Sequence, residues 1–220
     1  MAIQPPKVGQ APTYHFWLVG KDIARDRSKA LIDLGLTAGR ITSKYGEMAA
    51  ASSLILQELR AEKPALLWIV MYSPATERGT RGDKRAIKVQ LALAEEQHRL
   101  GGVVVLEAIF QSSALQHEAV QEFIVSRGWG KQQVHWCELN TSAFNKPIRA
   151  TTVLHCNKWL ISEAPRSCKC GNAPEEHVPR IQGRNIASLG RKGTYELIMQ
   201  VLQNLMEDVQ ANACHGGGNG

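Results

Sequence analysis

No apolar stretch in this chain is longer than the run 65–71, far short of the roughly 20 residues a helix needs to cross a bilayer. No membrane role is expected. Cysteine is scarce as well: there are five, an odd number clustered late, with no secretory-type apolar segment ahead of them. That argues against a secreted disulfide scaffold, and a reducing, intracellular setting is the expectation. Charge of one sign is also modest, since the formal excess is only +6 at a pI near 9.2. Such a balance is a mild pull towards a polyanionic partner such as nucleic acid, well below that of a dedicated basic tail. Neither an internal repeat nor a second domain is visible.

What the chain does have is enough apolar material for one core, 44% of its 220 residues. Residues 1–13, rich in Pro, Gln and Gly, read as a flexible N-terminal arm, and the Gly-rich residues 211–220 as a disordered tail. Between them, residues 14–210 read as a single α/β domain with a less regular Cys/His insertion at 163–192. Strands are expected at 14–19, 66–71, 103–108, 133–139 and 151–157, and helices at 23–34, 47–61, 84–100, 116–126 and 195–209. The helix at 84–100 has the firmest pattern: Ile87, Leu91 and Ala94 share one face, Glu95 and Arg99 stand at i,i+4, and Gly101-Gly102 ends it. Strands alternating with helices predict a doubly wound, mostly parallel sheet flanked by helices.

The run Leu66 to Met71 carries no polar alternation, as a strand covered on both faces would not. In such sheets ligands sit beyond the carboxyl ends of the strands, which places Ser73, Pro74, Ala75 and Thr76 where chemistry is expected. The next strand, from Val103, brings Glu107 to the same rim. Taken singly, Ser73 to Thr76 is as well read as a Pro-favoured turn, and Glu107 as a capping or salt-bridged residue. The loop 77–85 that follows is the most concentrated basic segment, and Arg78, Arg81, Lys84 and Arg85 are candidate phosphate contacts, with a solvated loop as the alternative. Trp68, Trp129 and Trp136 read as core residues.

Cys168 and Cys170 form a Cys-x-Cys pair, with His177 downstream beyond Gly171 and Pro174. Together with Cys156 at a strand end they could complete the four ligands of a structural zinc, although the spacing is not that of a standard knuckle. Separate thiols are the alternative. Cys137 reads as a packed residue inside a strand, and Cys214 as incidental.

The order of strand, Ser-Pro-x-Thr turn, long helix ending Gln-x-x-x-Gly-Gly, and strand ending Leu-Glu resembles the S-adenosylmethionine-dependent methyltransferase fold in its cytosine-C5 branch. It is most similar to the methyltransferase-like domains of dinoflagellate retroelement polyproteins. The resemblance covers residues 16–205, and it implies a Rossmann-like fold, a cofactor turn at Gly20, and a cofactor contact at Ser73, Pro74 and Thr76. It also implies a thiolate that attacks the ring and a carboxylate, here Glu107, that assists at the ring nitrogen.

The departures are specific. The family turn reads Pro-Pro-Cys-Thr, but the position of its cysteine is Ala75, whose methyl group can neither attack nor ionise. Ala108 and Ile109 stand where His-Pro is expected, and one glycine, Gly20, remains of the cofactor loop. The expectation is therefore a catalytically degenerate methyltransferase-like protein binding nucleic acid or a protein partner, with weak or absent binding of S-adenosylmethionine. An active methyltransferase of altered chemistry and a structural subunit of a larger assembly are the alternatives.

Overall fold

In the computed structural model the described residues are 15–20, 37–42, 52–71, 81–109, 112–135, 137, 142–143, 146–147, 151–157 and 203. Six strands form one sheet: β1 (His15–Val19), β2 (Thr37–Thr42), β3 (Leu66–Val70), β4 (Val103–Ile109), β5 (Gly130–His135) and β8 (Thr151–Cys156). Their order is β2-β1-β3-β4-β8-β5. The first four run parallel, whereas β8 lies antiparallel between β4 and β5. Two short strands, β6 (Ser142–Ala143) and β7 (Lys146–Pro147), pair separately. The result is the expected Rossmann-like α/β fold with a mixed, mostly parallel sheet.

Four helical segments are described: α1 (Ser52–Glu62), α2 (Arg81–Arg99), α3 (Ser113–Gln116) and α4 (Glu118–Ser126). Alternation along the strands sends Trp17, Val19, Leu67, Ile69, Val104, Leu106 and Val153 to one face, where they meet Ile55 and Leu59 of α1, Ile87 and Leu93 of α2, and Phe123 of α4 in one core. The other face is buried too, since Phe16, Leu66, Trp68, Val105 and Leu154 are at most 2% exposed. Burial on both faces explains why β3 and β4 read as continuous apolar runs.

Ends of elements follow local chemistry. α1 stops before Pro64, which disfavours helical backbone at Lys63; that residue takes a left-handed φ of 46° while its amide still bonds the Leu59 carbonyl at 2.9 Å. Gly101, with φ of 79°, turns the chain from α2 into β4.

Four expectations need correction. The helix expected at 116–126 is two, broken at His117, whose extended backbone (ψ 126°) lets its carbonyl start α4. The strand expected at 133–139 is β5, shifted to Gly130–His135, so Cys137 lies outside it. β5 ends the sheet order and is correspondingly polar, which hides it from an apolar pattern. Glu95 does not pair with Arg99: Arg99 reaches Glu96 at 2.5 Å, and Glu95 binds Arg127 of the turn after α4. Finally, part of the basic loop is helix, because α2 already begins at Arg81. Trp68 and Trp129 are core residues, 0% and 7% exposed.

The helices expected at 23–34 and 195–209 fall outside the described residues, apart from Gln203, which is helical and exposed. So do the N-terminal arm, the insertion at 163–192, the tail and Trp136.

Candidate functional site

A doubly wound sheet opens a crevice where the chain reverses its direction of winding, beyond the carboxyl ends of the strands on either side. Here that point lies between β1 and β3, because β2 is laid down on one side of β1 and β3 and β4 on the other. Their ends are aligned by register: Val19 lies opposite Ile69, and Val70 opposite Glu107. Gly20 leaves β1 at this edge, buried, with a φ of 150° that a side chain would oppose. It is the one described residue of the expected cofactor set; Ser73, Pro74 and Thr76 lie outside the described residues, as does Ala75.

Glu107 is described fully. The strand expected at 103–108 runs one residue further, to Ile109, so Glu107 stands two residues inside the end of β4. Its side chain lies on the sheet face that carries Trp68, is 8% exposed in all, and accepts a buried hydrogen bond from the Trp68 indole Nε1 at 2.6 Å. A carboxyl group in so dry a place needs a hydrogen-bond partner, and the indole N–H supplies one. The main chain extends the pairing, for the Met71 amide donates to the Glu107 carbonyl at 2.8 Å.

α2 lies beside β3 and runs the opposite way. Two fully buried glutamines seven residues apart fasten it: Gln97 donates to the Pro64 carbonyl at 2.5 Å ahead of β3, and Gln90 donates to the Val70 carbonyl at 3.0 Å at its carboxyl end. Residues 81–89 therefore stand on the carboxyl side of the Gln90 anchor, about 13 Å of helix at 1.5 Å per residue. The predicted basic residues Arg81, Lys84 and Arg85 belong to this segment, and Arg85 is exposed. Arg78 lies outside the described residues.

At the opposite, amino edge stands Cys156, 8% exposed at the end of β8, its Sγ 4.0 Å from Asn157 Oδ1. It lies opposite Val105 near the start of β4, so the antiparallel course of β8 carries it away from the Glu107 edge. Its proposed zinc partners Cys168, Cys170 and His177 are outside the described residues, and no group of three or more candidate ligands occurs among the described ones.

The amino edge also holds residues that sequence reasoning missed. Asn157 donates to the Gly102 carbonyl at 2.9 Å and accepts from the Val104 amide at 2.8 Å, which extends the β4–β8 ladder with a side chain. His155 is buried on β8, its Nδ1 has no hydrogen-bond partner among the described residues, and burial, aided by the charge of Lys131, pushes its pKa down to about 4. Neither stands in a motif.

No protein-family model matches the chain, and no curated protein matches its sequence. Among solved structures it is similar to the crystal structure of the S. pombe Dnmt2 methyltransferase, at 11% identity and a TM-score of 0.43. The match covers 66% of this chain and 48% of that one, so the chain spans about half of that protein's length. The fold assignment rests on strand order and register. Among the described residues no helix is long and apolar enough to cross a membrane.

Proposed function

We propose that the chain is a methyltransferase-like α/β protein that has given up cysteine-based transfer and serves as a binding module for nucleic acid or a protein partner. The observation that carries this reading is the commitment of Glu107 to Trp68. The resemblance asks of this carboxylate that it assist at a ring nitrogen, whereas here one oxygen is held within the sheet face by an indole donor at 2.6 Å. Ala75, at the position of the family's nucleophile, supports the same reading from sequence. Within the proposal the chain is related to the methyltransferase-like domains of retroelement polyproteins. The test is calorimetric titration with S-adenosylmethionine, paired with an assay of methyl transfer to cytosine-containing RNA and DNA. Weak or absent binding and no transfer are expected; micromolar affinity together with transfer would overturn the reading.

One observation favours the second reading, a methyltransferase of altered chemistry. Gly20, buried beside the crevice at φ 150°, has no side chain to bar the approach of a nucleoside to the backbone. When bound, S-adenosylmethionine would supply an activated methyl group; of the described residues, Gly20 would border it and Glu107 would be the nearest candidate acid. Titration separates the two readings.

A further inference from the structure

Among the described residues, the exposed cations on and against α2 fall into two groups. Those towards its C-terminal half are tied into the fold. Arg99 and Arg60 both bind Glu96, Arg60 through Nε at 3.1 Å and Nη2 at 3.1 Å, while Arg127 binds Glu95 and lies 4.0 Å over the Phe123 ring. At the other end, Arg85 and Lys88 are exposed and have no acidic partner among the described residues. Positions 81, 84, 85 and 88 follow the spacing i, i+3, i+4, i+7, so Arg81, Lys84, Arg85 and Lys88 occupy one stripe of the first two turns. The one acidic residue there, Asp83, falls about 160° from Arg85 around the helix at 100° per residue, off the stripe. This is the part of α2 that the Gln90 bond to Val70 leaves on the carboxyl side of its anchor, next to the crevice between β1 and β3.

We propose that this stripe is a nucleic-acid-binding surface, on which Arg81, Lys84, Arg85 and Lys88 contact successive phosphates of a strand led across the carboxyl edge of the sheet. The inference rests on the binding-module reading and names its ligand. The charge of an ion-paired arginine is offset by its carboxylate, but an unpaired exposed cation keeps its charge for a partner and releases phosphate counterions when it binds. A linear stripe along a helix suits a linear polyanion, and the chain's net charge of +6 brings such a ligand in. The contacts carry no base information, so binding is independent of sequence. Lys88 is new to this surface; read as a loop, the segment appeared to end at Arg85.

The test is fluorescence anisotropy of the full chain with 20-nucleotide single-stranded and 20-base-pair duplex probes over a salt series. The Arg85→Ala/Lys88→Ala variant is expected to bind duplex severalfold more weakly, with the slope of log K against log salt shallower by about 1.8, two contacts at ~0.9 each. Arg85→Lys/Lys88→Arg should restore both. Lys131→Ala, which removes an exposed cation on β5, should leave both unchanged. Unaltered affinity and slope in the Ala variant, or no binding of either probe by the wild type, overturns the inference. Neither result touches the loss of methyl transfer, which the cofactor titration tests separately.

Discussion

His155 shows how a single residue couples this fold to pH. In the unfolded chain its ring takes a proton near pH 6.5, whereas burial and Lys131 postpone that step in the folded chain to about 4. Between those values the unfolded state binds more protons, so stability falls as pH is lowered from 6.5 to 4 and does not fall further on this account. The effect is at most about 3 kcal/mol, reduced by whatever solvent reaches the ring. Urea unfolding at pH 7, 5.5 and 4 should show the decline, and His155→Leu should flatten it. An equal decline in both proteins would assign it elsewhere. Nothing in the sequence marked this histidine, because its surroundings come from β4, β5 and β8 together. Asn157 went unseen for the same reason: its donors and acceptors, Gly102 and Val104, are more than 50 positions away.

Between elements, the Arg60–Glu96–Arg99 cluster joins α1 to α2. Bonds from both guanidiniums hold the Glu96 carboxyl down at about 2, against an ordinary 4.5. The stability that follows is present above pH 4.5 and is lost as pH falls through the folded value near 2, a window below that of His155. Glu96→Gln should therefore remove acid sensitivity between 4.5 and 2 while leaving the decline from 6.5 to 4 intact; denaturation midpoints at pH 4.5, 3.5 and 2.5 would check it. Because both arginines are mostly exposed, the midpoint shift at pH 7 should be small. Sequence spacing alone favoured Glu95 with Arg99, since i,i+4 neighbours meet on an isolated helix. In the folded chain Glu96 faces α1 and Glu95 faces the turn after α4, and those neighbours decide the pairing.

For the whole molecule, the two edges of the sheet carry different residues. The carboxyl edge gathers Gly20, Glu107 and the basic start of α2, whereas Cys156 stands at the amino edge. We propose a structural zinc there, held by Cys156, Cys168, Cys170 and His177, that would fix the insertion at 163–192 and leave no open position for catalysis. Elemental analysis of protein purified without chelator should give about one zinc per chain, and Cys168→Ser should release it and lower the melting temperature. Well under one zinc, or melting indifferent to chelator in the wild type, would refute the site. Oligonucleotide binding should survive zinc removal if the chain stays folded, since the proposed phosphate contacts lie at the other edge.

The sequence by itself determined the fold class, the strands β1, β3, β4 and β8, the core places of Trp68 and Trp129, and the long helix after β3. Each is written in local apolar runs, in helical spacing or in Gly and Pro stops, and a strand buried on both faces needs no partner to be recognised as apolar. It also determined that Ala75 cannot act as a nucleophile. Only the tertiary structure decided the rest: β2 and β5, whose mixed or polar residues become strands by pairing with β1 and β8; the antiparallel course of β8, which sets Cys156 apart from Glu107; and the bond from Trp68 that ties Glu107 into the sheet. These depend on which strand lies beside which, and pairing across the chain leaves no trace in the order of neighbouring residues.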